Sequence, residues 1–291
     1  MVRFLLLFFC TTTFTTFAQE TPASDNTVKP DGPVVADSTT KPKKSGMLSM
    51  GPTIMDFKLD RGQSGRQTFN IINKKNKHYT FKMNIKDYVR DSAGNYQFMD
   101  PGKNPYSLSE WITFDKTSVE VAPGERATVV ITVTVPDNEE AAKAMRWAMV
   151  FAETVTEAEA PKKNTKDNVQ MQLNKAVSTG IHVFLEPPGL PKELKMLSVN
   201  GLNDSTYRVL CQNTGATKLN CKFSLEFSSP STGAKDKIEV DDVGIFPGQQ
   251  RFVDMKIPSS LKPGKYVAVA LIDAGDDDVP LEAAQLSVEI K

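Results

Sequence analysis

The sequence is poor in the residues that most often carry catalysis and metal binding. Its 291 residues include two histidines, His78 and His182, together with three cysteines and two tryptophans. Neither histidine stands in a metal-ligand spacing or beside a nucleophile motif, and no glycine-rich phosphate-binding pattern occurs. We therefore expect a protein that is not an enzyme and that uses no metal and no cofactor.

An excess of either charge is also missing. The chain has 35 basic and 35 acidic side chains, which gives a formal net charge of zero. Because nucleic-acid binding requires basic groups that neutralise phosphates, a nucleic-acid partner is not expected. Beyond the N-terminus no apolar run approaches the length of a membrane-spanning helix, so the mature chain is predicted to be soluble, without a transmembrane helix.

The N-terminus has the pattern of an export signal. Arg3 precedes an uncharged, largely apolar stretch at residues 4–17, and Ala18 provides a small residue at the expected cleavage point. This pattern predicts a signal peptide at residues 1–18 and places the protein in the periplasm or outside the cell. Residues 19–46 are rich in Pro, Thr, Ser and charged side chains, which predicts a disordered tether.

The rest of the chain alternates apolar and polar residues with the period of a half-buried β-strand. Clear runs begin at Tyr79, Val129 and Leu219. Only residues 139–143 suggest a helical turn, with Asp137 or Asn138 as its N-cap. The predicted fold is all-β, with two immunoglobulin-like β-sandwich domains in tandem after the tether.

A weak internal repeat and a proline-rich segment divide the predicted strands into two domains. Pro123-Gly124 and Pro247-Gly248 each follow a short apolar run and precede a strand, as expected for equivalent tight turns. Residues 186–191 contain three prolines, which end strand pairing and stiffen a linker. We expect one domain at residues 47–187 and a second at residues 188–291.

Cys211 and Cys221 are predicted on the apolar faces of neighbouring strands, joined by a turn at residues 213–215. In an oxidising compartment the two sulfurs can form a disulfide within one sandwich. The alternative is that both remain buried thiols that pack as small apolar side chains.

Two regions are candidate binding surfaces. Val169, Met171 and Leu173 fall on one face of a predicted strand beside a long polar loop at residues 157–168, and that strand either accepts a partner by strand addition or is an ordinary core strand. Three tyrosines in a loop-rich stretch are candidates for contact with a glycan: Tyr88, Tyr96 and Tyr106.

Two short segments resemble the acceptor pattern for O-glycosylation in Bacteroidota. They are Asp37-Ser38-Thr39 in the tether and Asp91-Ser92-Ala93 in a turn, so the acceptor residues are Ser38 and Ser92. The signal-peptide junction at residues 17–19 also looks like a Bacteroidota signal.

The order of motifs resembles the WxL-interacting proteins of Gram-positive surfaces. The similar motifs are those at residues 110–114, 213–215, 245–248 and 261–266. The resemblance implies a first domain associated with peptidoglycan and a second associated with partner surface proteins, although we do not expect that family's C-terminal membrane anchor here. The two-domain plan is also similar to that of periplasmic pilus chaperones, which hold subunits by strand addition.

These observations predict a non-enzymatic periplasmic protein that holds an exported or outer-membrane protein, in secretion or assembly of surface proteins. Two alternatives are a module that binds peptidoglycan or another glycan and a chaperone of the pilus type.

Overall fold

The computed structural model describes residues 48–155 and 177–291 as β-strands joined by turns, with two short 3-10 turns at Ser109–Trp111 and Glu139–Ala142. The strands are β1 Leu48–Gly51, β2 Ile54–Phe57, β3 Ser64–Asn73, β4 Tyr79–Arg90, β5 Tyr96–Met99, β6 Ile112–Phe114, β7 Ser118–Val121, β8 Arg126–Thr134, β9 Arg146–Thr154, β10 Ser178–Leu185, β11 Leu194–Asn203, β12 Thr206–Asn213, β13 Leu219–Ser228, β14 Lys235–Ile245, β15 Gln250–Lys256, β16 Gly264–Asp273 and β17 Glu282–Ile290. The predicted signal peptide and tether lie outside the described residues.

The first sandwich consists of strands β1 to β10. One sheet has the order β1-β3-β8-β6, and the other has the order β2-β10-β9-β4-β5, with β7 pairing to β4. All pairs are antiparallel except β2 with β10. The predicted alternation is seen directly in β4 and β8, where Phe81, Met83, Val129 and Ile131 are buried between the two sheets.

The second sandwich consists of strands β11 to β17. A sheet of order β11-β12-β15 faces a sheet of order β14-β13-β16-β17. The core between them is formed largely by the inward side of β13 and its partners, with Phe223, Leu225 and Phe227 fully or almost fully buried. The predicted all-β fold of two sandwiches is therefore confirmed.

The connections follow the expected turn chemistry. Gly124 and Gly248 both have positive φ, 82° and 72°, at the equivalent Pro-Gly turns. The predicted helical turn is present as the 3-10 turn Glu139–Ala142, capped by the Asn138 side chain, which accepts a hydrogen bond from Ala141 N at 3.0 Å. Residues 186–193 connect β10 to β11 without forming a strand. No helix in the described parts of the chain is long and apolar enough to cross a membrane.

Candidate functional site

One part of the outward face of the six-stranded sheet is lined by aromatic and apolar side chains, with polar side chains such as Asn84 and Lys86 of β4 beside it. Along β9, Ala148, Val150 and Ala152 point into the core of the first sandwich, so their neighbours point away from it. The same alternation in β4, β5 and β10 completes the set, which we call the aromatic face: Tyr88, Tyr96, Phe98, Trp147, Met149, Phe151, His182 and Phe184. An outward sheet face of this composition needs a cover or a partner.

The second sandwich covers one part of the aromatic face. The Phe246 ring lies 4.7 Å from that of Trp147, 6.0 Å from that of Tyr88 and 5.9 Å from that of Phe184, measured between centroids. All four rings are buried. Because Phe246 comes from the second sandwich, this contact joins the two sandwiches through their side chains.

The other part of the aromatic face is open to solvent. Tyr96 and Phe98, both on β5, are 44% and 49% exposed. Their rings are parallel, with centroids 6.0 Å apart, and Phe98 also meets Phe151 edge-on at 5.4 Å. These rings offer apolar area that a partner can remove from water.

Open strand edges lie at both sides of this face. β5 pairs with β4 alone, and its sequence Tyr-Gln-Phe-Met carries no charge. β10 pairs with β9 along its whole length but with β2 only from His182 to Leu185. Within the described ranges, Ser178–Ile181 therefore has one edge without a strand partner. Unpaired edges are sites where an extended segment of another chain can add.

His182 lies at the centre of the aromatic face. Its Nδ1 is 2.9 Å from the Tyr88 hydroxyl, and its Nε2 is 3.4 Å from the Tyr96 hydroxyl. Burial lowers the pKa of His182 below its usual value, and the positive charges of Lys218 and Arg90 lower it further. The imidazole is therefore held in its neutral form at neutral pH.

Backbone contacts fix the junction between the sandwiches on both sides of the aromatic face. Met145 N donates to Ala216 O at 2.8 Å, and Phe252 N donates to Ser92 O at 2.9 Å. Beside the linker, Glu186 pairs with Lys58 of the first sandwich and accepts a 2.6 Å hydrogen bond from Thr217 Oγ1 of the second.

The three tyrosines predicted as candidates for glycan contact differ in exposure. Tyr88 is fully buried under Phe246, and Tyr106 is half-buried against Trp147, with ring centroids 5.1 Å apart. Only Tyr96 is exposed. Tyr88 is therefore closed to a glycan by Phe246, whereas glycan contact through Tyr96 and Tyr106 stays a prediction.

The two cysteines lie on opposite sheets of the second sandwich, Cys211 on β12 and Cys221 on β13. Both are fully buried and are free thiols in this structure. The predicted disulfide is thus not formed here and stays a prediction for the oxidised protein. Cys211 instead donates a hydrogen bond to the carbonyl of Arg251 at 3.4 Å.

The remaining candidate residues have different outcomes. Ser92 is exposed at the tip of the β4–β5 hairpin, where its carbonyl is held by the second sandwich. Ser38 and the proposed partner strand with Val169, Met171 and Leu173 lie outside the described residues, so they stay predictions.

Sequence reasoning missed Phe98 and Phe151, which belong to the aromatic face, and Phe246, which covers part of it. The available signal was the pair Tyr96-x-Phe98, two aromatic residues on one side of a short strand. Within residues 48–155 and 177–291, no group of three or more His, Cys, Asp or Glu side chains is arranged to hold a metal ion.

No protein-family model and no curated protein matches the sequence. Among solved structures, the chain is similar to a chaperone–tip adhesin complex of CFA/I fimbriae biogenesis, with 11% identity over 84% of this chain and 99% of that chain and a TM-score of 0.48. It is also similar to the class 5 fimbriae chaperone CfaA, with 13% identity, 83% and 99% coverage and a TM-score of 0.47. The E. coli chaperone DraB gives 14% identity, 84% and 97% coverage and a TM-score of 0.41. The resemblance to WxL-interacting proteins gains no support from these comparisons and stays a prediction.

Proposed function

We propose that the chain is a non-enzymatic binding protein of the periplasm that holds an extended segment of an exported protein against the aromatic face. The observation that carries the proposal is the open part of that face, where Tyr96 and Phe98 are about half exposed on an uncharged edge strand. Exposed aromatic clusters of this kind mark interaction sites on soluble proteins. The predicted signal peptide supports the periplasmic location.

Strand addition is the binding mode that fits the surface best. A partner segment that pairs with β5, or with the open edge at Ser178–Ile181, extends the six-stranded sheet and places alternate side chains on the aromatic face. Main-chain hydrogen bonds then supply affinity for many sequences, while the rings select apolar side chains. Such a mode suits a chaperone for exported subunits better than a scaffold for one folded partner.

The test is site-specific crosslinking in the native envelope. A photoreactive residue in place of Phe98 reports on the aromatic face, and one in place of Leu281, which is 62% exposed on the second sandwich, is the matched control. We expect position 98 to capture one or a few exported proteins and position 281 to capture none of them. In a second experiment the photoreactive residue replaces Gln97. The double variant Y96S/F98S, which removes only the two exposed rings, should then abolish capture from position 97.

Two other outcomes are informative. Capture of muropeptides without protein at position 98 would replace the proposal with wall binding, in which the parallel rings of Tyr96 and Phe98 stack on sugars. Equal capture at both positions would show that the aromatic face is not the binding surface.

A further inference from the structure

Three cationic side chains form a row across the junction, from the open part of the aromatic face at Tyr96 to its covered part at Phe184. The Arg251 guanidinium lies directly over Gly94, and the carbonyl of Gly94 accepts a hydrogen bond from Arg90 Nε at 3.0 Å. Arg90 Nη1 and Lys218 Cε in turn both approach Gly244, at 3.6 Å and 3.3 Å from where its Cβ would stand. The order along the row is therefore Arg251, Arg90, Lys218, with a glycine between each pair.

The row runs along the edge of the aromatic rings. The Arg90 guanidinium lies 5.3 Å from the centroid of Tyr96, and Lys218 Nζ lies 5.3 Å from that of Phe184. Cation–π contacts hold such side chains in place without neutralising them. The charges therefore stay available to a ligand that also touches Tyr96.

No carboxylate of the described residues forms an ion pair with any of the three cations. Two of the nearby acids have other partners: Asp91 accepts from Asn95, and Glu186 binds Lys58 and Thr217. Asp56 is close enough to favour the charged form of Lys218 but makes no hydrogen bond to it.

The cations also repel one another. Burial lowers the pKa of Lys218 and of Arg251, and the charge of Arg90 lowers both further, while Asp56 and Glu186 act in the opposite direction on Lys218 and Asp91 does so on Arg251. One Arg251 nitrogen, Nε, is buried without a hydrogen-bond partner. A bound carboxylate relieves the remaining repulsion and forms charge-assisted hydrogen bonds with the guanidinium and ammonium groups.

We propose that the segment held on the aromatic face is acidic, with Asp or Glu side chains that bind Arg90, Lys218 and Arg251 while its apolar side chains lie on Tyr96 and Phe98. This inference rests on the proposed function and adds the chemistry of the partner. The row spans three cations, so it matches several side-chain carboxylates along an extended segment better than one terminal carboxylate.

The test measures binding of short synthetic peptides to the mature chain by fluorescence anisotropy. The acidic probe alternates Val or Phe with Glu or Asp, and its neutral counterpart carries Gln and Asn at the same positions; both are capped at the two ends. A third probe is the neutral peptide with a free C-terminal carboxylate. We expect the acidic probe to bind at least about tenfold more tightly than either neutral probe, with an affinity that falls as salt is raised.

Variants separate this row from general electrostatics. Arg90→Gln and Lys218→Gln should each remove most of the preference for the acidic probe, while Arg66→Gln, which changes an exposed arginine on β3 in the other sheet, should leave it intact. The unfolding temperature of each variant shows that the junction remains folded. If a variant unfolds, the salt dependence of the unmodified protein still decides the question.

Each remaining outcome is decisive. Equal binding of the acidic and neutral probes overturns the inference but leaves the aromatic face as the binding surface. Preference for the free C-terminal carboxylate over the capped acidic probe also overturns it. Absence of binding by all three probes counts against both the inference and the proposed function.

Discussion

Asn73 and Asn213 make the same five hydrogen bonds, one residue in each sandwich. Both side chains are fully buried. In each case the side-chain Nδ2 donates to two carbonyls, which are those of Lys77 and Val121 for Asn73 and those of Thr217 and Ile245 for Asn213. The side-chain Oδ1 accepts from the backbone amide two residues ahead, Lys75 or Gly215. The backbone amide and carbonyl bond to the Pro-Gly turn, at Glu125 and Gly124 in the first sandwich and at Gln249 and Gly248 in the second. The weak sequence repeat thus corresponds to a repeated structural feature, a buried asparagine hydrogen-bonded to a Pro-Gly turn, which we call the asparagine corner.

Replacement of Asn213 by alanine should destabilise the protein by about 2–4 kcal/mol, because two buried carbonyls lose their donor. Chemical denaturation measures this change. Asn200→Ala is the control, since Asn200 is exposed and donates only to Ser198 Oγ. The control should stay within about 0.5 kcal/mol of the unmodified protein. Equal effects of the two substitutions would contradict the role of the corner.

Phe246→Ala should weaken the junction and destabilise the protein by roughly 3–5 kcal/mol, because Phe246 fills the space between Tyr88, Trp147 and Phe184. We expect the two sandwiches to unfold in separate steps in this variant, as seen by tryptophan fluorescence and circular dichroism. Leu281→Ala, at an exposed position, is the control. A single unchanged transition would show that Phe246 does not couple the sandwiches.

Acid should destabilise the junction through His182. Its pKa in the folded protein is lowered by burial and by Lys218 and Arg90, so the fold favours the neutral imidazole. The stabilisation is fully present above the unfolded-state pKa of about 6.5 and is lost as pH falls through the lower folded-state pKa. His182→Gln should therefore lose less stability than the unmodified protein between neutral and mildly acidic pH.

His78→Gln is the matched control for that experiment, because His78 is exposed and precedes β4. It should leave the pH dependence unchanged. A proton titration of His182, followed by NMR, that gives an ordinary or raised pKa would contradict the prediction.

The reduced cysteines should resist alkylation until the protein unfolds. Burial raises the pKa of Cys211 and Cys221 to about 12, so the reactive thiolate is scarce at mildly alkaline pH. Rapid labelling of the native protein would contradict this. Intact mass of protein isolated from an oxidising envelope tests the predicted disulfide: the bond lowers the mass by two hydrogen atoms and should add about 2.5–3 kcal/mol of stability.

The sequence predicted the strands and their inward residues because alternation is a local signal. Thus Phe81 and Met83 in β4, and Phe223 in β13, are buried as expected. The aromatic face was not predictable in the same way. Trp147 and Phe151 alternate with Val150 and Ala152, so β9 is apolar on both sides, and the local pattern does not say which side a second sandwich covers.

The burial of Tyr88 was also not predictable from the local sequence. Its burial depends on Phe246, which lies in a different sandwich, and no local spacing connects the two residues. The row of Arg251, Arg90 and Lys218 likewise comes from three separate segments of the chain, and the fold brings these side chains together at Gly94 and Gly244.

The junction described above makes the two sandwiches unequal partners in spite of their shared asparagine corner. The first contributes most of the aromatic rings, and the second contributes Phe246, Lys218 and Arg251, which frame them. A truncation within residues 186–193 would therefore leave the rings in one half and the side chains that frame them in the other. An exchange of one sandwich alone would have to preserve the contacts of Phe246 with Tyr88, Trp147 and Phe184.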